Sequence, residues 1–214
     1  MDSVTLAHHL HAEGRALLLV SIDYGQRHAR EIDCAAACAG RLDARHAVVD
    51  LADLREHLHG SALTDEAVAV PEGHYTDESM RATVVPNRNA ILLSVAWGIA
   101  VAEGADLVAT AVHGGDHAIY PDCRPEFIDA LGAALRLGTA GHHRPGLYLA
   151  APFLGIDKAG IVRIGAELGV PFEATWSCYL GGRVHCGRCG TCVERREAFA
   201  VAGVVDPTSY EAAA

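Results

Sequence analysis

The chain has 214 residues with formal charge −10, half of them hydrophobic and 21% charged. That balance excludes a disordered chain, and the acidic total excludes a broad basic face for tracking phosphates. No apolar run reaches the ~18 residues of a membrane helix and no secretory leader is recognisable, so the expected compartment is the cytoplasm, without membrane contact.

Short β-branched runs alternate with helical patterns along the chain, which predicts an α/β fold built on a doubly wound parallel sheet. In chain order the expected elements are a helix at Val4–Ala12, a strand at Leu17–Ile22 and a helix at Ala29–Ala39. A strand at Ala47–Leu51, a helix at Asn89–Ala102 and a strand at Leu107–Val112 follow. The last are a helix at Glu126–Leu137, a strand at Leu147–Leu149 and a helix at Lys158–Leu168. Gly14, Gly40, Gly104, Gly138 and Gly169 each follow a helix and are expected to be left-handed caps. Ligands of such a sheet sit in the loops after its strands.

Two stretches depart from the alternation. From His57 to Pro86 the chain is polar and long for a connection, which reads as a lid or interface loop, or as a solvated insertion. From Trp176 to Cys192 it turns to Gly, Arg and Cys, so a main domain at 1–175 is expected to carry a small metal-binding segment at 176–214.

Three loops offer polar groups. Tyr24 and Gln26 follow the strand at Leu17–Ile22, where a backbone edge and a ring suit a purine; an ordinary turn reads equally well. Asn87, Arg88 and Asn89 open an apolar helix, whose N-terminus favours anions, although Asn87 or Asn89 also suits a cap. Tyr120, Asp122 and Arg124 precede Pro125, a first helical residue. Asp122 can accept from a guanine edge and Arg124 can clamp a carboxylate, with capping as the alternative.

Cys178, Cys186, Cys189 and Cys192 have C-x7-C-x2-C-x2-C spacing. In a reducing compartment this reads as one tetrahedral thiolate site, for zinc before an iron–sulfur cluster, and a closed shell makes the ion structural. His185 is expected at the surface, as an alternative ligand. Cys34 and Cys38 read as small buried hydrophobes, and His8, His9, His11, His142 and His143 as solvated positions.

Taken together, DYGQRH, PNRN, YPDCRPEF and WSCY followed by CGRCGTC resemble the 7-cyano-7-deazaguanine synthase family of the queuosine pathway over nearly the whole chain. The resemblance implies a PP-loop adenine-nucleotide fold, a structural zinc, ATP with Mg2+ as cosubstrate, and a homodimer with no direct nucleic-acid contact. It also implies ligase chemistry: 7-carboxy-7-deazaguanine and ammonia become the nitrile through adenylation, amide formation and dehydration. Arg88, Arg124 and Lys158 are the expected catalytic cations. Met1, Asp2, Ser3, Tyr24, Gln26, Arg88 and Lys158 are expected to hold ATP, with Asn87, Asn89, Tyr120, Asp122 and Arg124 on the deazaguanine. Lys158 opens a helix, with Asp157 before it as a cap.

The family's SGGxDS signature appears only as Met1-Asp2-Ser3, so the expectation is that the functional polypeptide extends upstream and that this chain lacks its first strand. Two other classes compete. One is a different PP-loop ATP-dependent enzyme. The other is a dead zinc-binding paralogue or zinc module that binds RNA or a protein through Arg183, Arg188, Arg195 and Arg196.

Overall fold

A computed structural model describes residues 1–75, 80–116 and 120–212. Its elements are α1 (Asp2–Ala12), β1 (Leu18–Asp23), α2 (Arg30–Arg41), β2 (Arg45–Asp50), α3 (Arg88–Ala102) and β3 (Leu107–Ala109). They continue with α4 (Pro125–Gly138), β4 (Tyr148–Ala150), α5 (Lys158–Glu167) and α6 (Gly190–Ala202). The chain forms two compact units, Met1–Val85 with Lys158–Ala214, and Pro86–Asp157. Residues 176–212 therefore lie wholly in the first unit. Among the described residues, no helix is long and apolar enough to cross a membrane.

The fold is mixed α/β with parallel strands, one pair in each unit. In the first unit β1 runs beside β2 from Leu18↔Arg45 to Asp23↔Asp50. Parallel neighbours need a crossover, and α2 supplies it, burying Cys38 and Ala39. Cys38 packs with Ala7 of α1 and with Leu42, while Met1, Val162, Val170, Phe172, Ala198 and Phe199 form a second cluster. The Phe172 and Phe199 rings meet edge to face at 4.9 Å, a preferred aromatic geometry. In the second unit β3 pairs with β4 from Leu107↔Tyr148 to Ala109↔Ala150. Trp97 is buried there among Leu93, Val108, Ile128 and Leu147, and its indole N–H donates to Thr139 Oγ1 at 3.1 Å.

Several expectations need correction. The strand expected to reach Val112 ends at Ala109, and α6 was not foreseen. Gly14, Gly104 and Gly169 are left-handed, but Gly40 and Gly138 lie inside α2 and α4; after α2 the left-handed residue is Asp43. The 57–86 stretch is no solvated insertion, because Ser61, Ala62 and Leu63 are fully buried and Thr64, Met80, Thr83 and Val85 nearly so. Polar groups among its described residues find partners within the stretch: Thr64 Oγ1 donates to Leu58 O at 2.6 Å and Ala62 N–H to Ala82 O at 2.7 Å. Burial of this kind is compatible with a polar sequence once each group has a partner.

Candidate functional site

The four cysteines converge. Cys178, Cys186, Cys189 and Cys192 are buried, with their sulfurs all within 4.8 Å of one another and Cys186 and Cys192 at 3.9 Å. A disulfide needs about 2.05 Å, whereas a tetrahedron with Zn–S near 2.3 Å has edges of roughly 3.8 Å, so the spacing fits a metal. The backbone is arranged for thiolates. Cys186 N–H donates to Cys178 Sγ, and the N–H groups of Arg188 and Cys189 donate to Cys186 Sγ. Gly187 makes this knuckle feasible at φ +74. Cys189 caps α6 and Cys192 lies in its first turn, where the helix dipole favours negative charge. Contacts with Cys178 and Cys192 pull Cys189 well below the usual thiol range, while contacts with Cys178 and Cys189 push Cys192 well above it. A divalent cation removes that competition for charge.

His185 is buried, contrary to the surface position expected of it, and stands outside the group of four. Its Nε2 accepts from Ser177 N–H at 3.1 Å and its ring lies 4.3 Å from that of Trp176. Burial, reinforced by Arg195, lowers its pKa to about 4, so the imidazole is neutral. The four arginines of the RNA-binding alternative also separate. Arg195 is fully buried, Arg188 pairs with Glu72 at 2.6 Å and Glu211 at 2.8 Å, and Arg196 covers the Tyr210 ring.

The cysteine loop supports the loop after β1. Arg30 donates to the carbonyls of Gly182 at 3.0 Å and Arg183 at 2.6 Å, and its guanidinium lies 4.7 Å from the Trp176 ring centre. At Gly181, with φ +64, a Cβ would stand 2.5 Å from Arg27 O, so only glycine admits this approach. Within the supported loop, Gln26 Oε1 accepts from Tyr24 N–H at 2.9 Å, and its amide donates to Ile22 O at 3.3 Å and Glu31 Oε1 at 3.2 Å. The Gln26 carboxamide thus shapes the turn, and Tyr24 is buried beside it. An open cavity of about 560 Å³ adjoins the turn, lined by Gln26, Arg27, Arg55, Glu66 and Leu180.

Of the residues expected at the phosphates, Asp2 lies beside Lys158. Its Nζ donates to Glu194 Oε2 at 2.6 Å and lies 3.5 Å from Asp2 Oδ2. Ser3 is exposed on α1, whereas the Met1 side chain is in the core and its amine donates to Trp176 O at 3.3 Å. Sequence reasoning overlooked Glu194 and one further signal: Lys158 is the chain's only lysine, every other one of its 17 Lys and Arg being arginine.

In the second unit the PNRN and YPDCRPEF motifs meet. Asp122 Oδ2 accepts from Asn89 N–H at 3.1 Å, and the Asn89 amide donates to Asp122 O at 3.2 Å and Cys123 Sγ at 3.3 Å. Asp122 therefore caps α3 from 33 residues away. Asn87 is the left-handed N-cap residue at φ 57, without a side-chain capping bond. Arg88 begins α3, Tyr120 packs against the Trp97 cluster, and Arg124 is the N-cap residue before Pro125. The loop after β3 was also overlooked: Gly115 N–H donates to buried His113 Nδ1 at 3.1 Å, and Gly114 N–H to Ile156 O at 2.8 Å. Its signal was His-Gly-Gly directly after the strand expected at Leu107–Val112.

The family described as "Queuosine biosynthesis protein QueC" matches residues 1–203. A protein from Chelativorans sp. (strain BNC1), named 7-cyano-7-deazaguanine synthase, is 59% identical over 214 residues, covering 100% of this chain and 91% of the relative. The 7-cyano-7-deazaguanine synthase 1 of Mesorhizobium japonicum is 59% identical over 211 residues, covering 99% and 90%. Among solved structures, the U34-tRNA thiolase NcsA from Methanococcus maripaludis with its [4Fe-4S] cluster aligns with TM-score 0.49 and 13% identity, over 95% of this chain and 70% of that one. That last likeness is too distant to carry any argument. The match over 203 residues and the identity with full coverage show that the chain belongs to the QueC family of queuosine biosynthesis proteins.

Proposed function

We propose that this chain is an ATP-dependent C–N bond-forming ligase that makes 7-cyano-7-deazaguanine from 7-carboxy-7-deazaguanine and ammonia. The observation that carries the reading is the 59% identity, over the full chain, to a protein named for that synthase. The reading includes one structural zinc per chain, MgATP as cosubstrate, a cytoplasmic homodimer, and no contact with membrane or nucleic acid.

A carboxylate resists ammonia because its leaving group would be oxide. Adenylation cures this: the carboxylate oxygen attacks the α-phosphorus, pyrophosphate leaves, and ammonia displaces AMP from the mixed anhydride. A second adenylation, at the amide oxygen, lets the nitrogen lose its protons as AMP departs, leaving the nitrile. The protein's task is placement and charge. Lys158 and the N-terminus of α5, with Asp2 and Ser3, serve the phosphates, and Arg88 neutralises charge on the leaving groups. Tyr24 and the turn shaped by Gln26 receive the purine. Arg124 holds the carboxylate, while Asn87, Asn89, Tyr120 and Asp122 recognise the deazaguanine. Cys178, Cys186, Cys189 and Cys192 would hold the zinc, whose closed thiolate shell supplies cross-linking and no reactive position.

The test is incubation of the purified protein with 7-carboxy-7-deazaguanine, ammonium and MgATP, with product read by mass spectrometry. Nitrile formation is the expected result. ATP consumption without nitrile would favour another PP-loop reaction, and neither activity in a zinc-loaded protein would favour a dead paralogue.

A further inference from the structure

Lys158 opens α5, where the partial positive charge of the helix terminus disfavours a cation. A chain that uses arginine for every other strong cation keeps a lysine here, where a compact ammonium with rotatable donors is wanted. Such a side chain has a flexible four-carbon stem and needs a partner to hold it. Glu194 is a closer partner than Asp2, which stands at 3.5 Å: its Oε2 lies 2.6 Å from Nζ, with the Glu194 and Lys158 side chains 27% and 12% exposed. Glu194 stands on α6, two residues after Cys192. Two helical residues turn through about 200°, so neighbouring positions on one helix serve opposite faces. Cys192 faces the sulfur cluster and Glu194 faces Lys158.

We propose that Glu194 is a positioning residue, which places the Lys158 ammonium for the nucleotide phosphates and links that placement to the metal through the shared first turns of α6. The inference rests on Lys158 being a phosphate-binding cation. Removing the metal would free the turn carrying Cys189 and Cys192, and the carboxylate would lose its fixed position.

Because the chain has a single lysine, protein labelled with 13Cε-lysine gives one side-chain resonance, and that resonance is the readout. In the zinc-loaded wild type, adding MgATP is expected to shift it; an unmoved signal would remove the phosphate reading itself, whatever Glu194 does. In Glu194→Gln, zinc content is expected to stay at one per chain, the resonance to move away from its wild-type position, and KM for ATP to rise about tenfold. KM for 7-carboxy-7-deazaguanine should be unchanged, and Glu194→Asp should partly restore the ATP value. Chelation of the wild type should move the resonance in the same direction without any substitution. A Glu194→Gln protein with wild-type resonance and wild-type KM for ATP would overturn the positioning role, and a resonance unmoved by chelation would overturn its link to the metal.

Discussion

Arg195 and Arg196 are adjacent, equally charged, and indistinguishable by composition, yet the structure gives them different energies. The Arg195 guanidinium has no exposed surface. Its Nε donates to Thr208 Oγ1 at 2.8 Å, Nη1 to Thr175 Oγ1 at 2.9 Å and Ser177 Oγ at 3.1 Å, and Nη2 to Phe172 O at 2.9 Å, with Asp206 at 3.7 Å. Bonds to a charged group contribute about 1.5–3 kcal/mol each, but the buried guanidinium also gave up its hydration, so the bonds do not add. Truncating one member of such a network costs about 3–5 kcal/mol, because the acceptors and the Asp206 charge lose their partner. Arg196 is exposed and rests 3.9 Å over the Tyr210 ring, a contact worth about 0.5–1 kcal/mol. Arg195→Ala should therefore be less stable than Arg196→Ala by at least about 2 kcal/mol. In a chain of this length the Arg195→Ala loss corresponds to a melting temperature lower by roughly 6–20 °C. The assay is urea unfolding of the zinc-loaded variants followed by tryptophan fluorescence, since Trp176 lies in the same unit as Arg195. Equal losses for the two substitutions, or less than about 1 kcal/mol for Arg195→Ala, would refute the buried-network argument.

Three further outcomes are expected. Gly25 and Gly14 have nearly the same φ, +79 and +80, but a Cβ at Gly25 would stand 2.6 Å from Arg55 Cβ while one at Gly14 meets nothing within 4 Å. Gly14→Ala should cost about 1–2 kcal/mol and Gly25→Ala about 1–3 more, read by thermal unfolding; equal costs would deny the close approach. Asp122→Ala should destabilise the second unit by about 1 kcal/mol through loss of the α3 cap and also raise KM for 7-carboxy-7-deazaguanine; an unchanged KM would leave Asp122 a cap alone. Burial works to raise the Asp206 pKa, but donation from Thr208 and Tyr210 and the nearby Arg195 outweigh it and hold the carboxyl below its ordinary range. Its stabilising share is thus present above the unfolded pKa and is lost as pH falls through the folded one. Asp206→Asn should lower stability at pH 7 and reduce the loss between pH 7 and pH 3, measured by urea titrations across that range.

The fold was legible wherever local chemistry decides conformation. Pro125 starts α4, Gly14, Gly104 and Gly169 take the left-handed conformation after their helices, and apolar runs mark β1 and β2. Gly40 misled because it is the penultimate residue of α2 and still helical, the left-handed turn falling instead to Asp43. α6 was hidden because its opening residues read as part of a cysteine knuckle, and its buried face includes Cys192 and Arg195, side chains that no hydrophobic pattern counts. In the stretch from 57 to 86 only the alternative of a solvated insertion fails, because composition does not report burial. Ser61, Thr64 and Thr83 are polar in composition but buried in fact, and only the three-dimensional partner of each hydroxyl reveals it.

The site was legible in its chemistry and hidden in its connections. A four-cysteine spacing announces a metal because its ligands lie within 15 residues, so the backbone itself brings them close. Asp122 and Asn89 are 33 residues apart, Lys158 and Glu194 are 36, and Arg30 and Gly182 are 152, distances over which sequence pattern has no reach. The motifs that resemble nucleotide and substrate loops turn out to spend some of their polar groups on their own structure: Gln26 on its own turn and Asp122 on the start of α3. A substitution at a motif residue that shapes a loop, such as Gln26 or Asp122, should therefore be read in stability as well as in turnover.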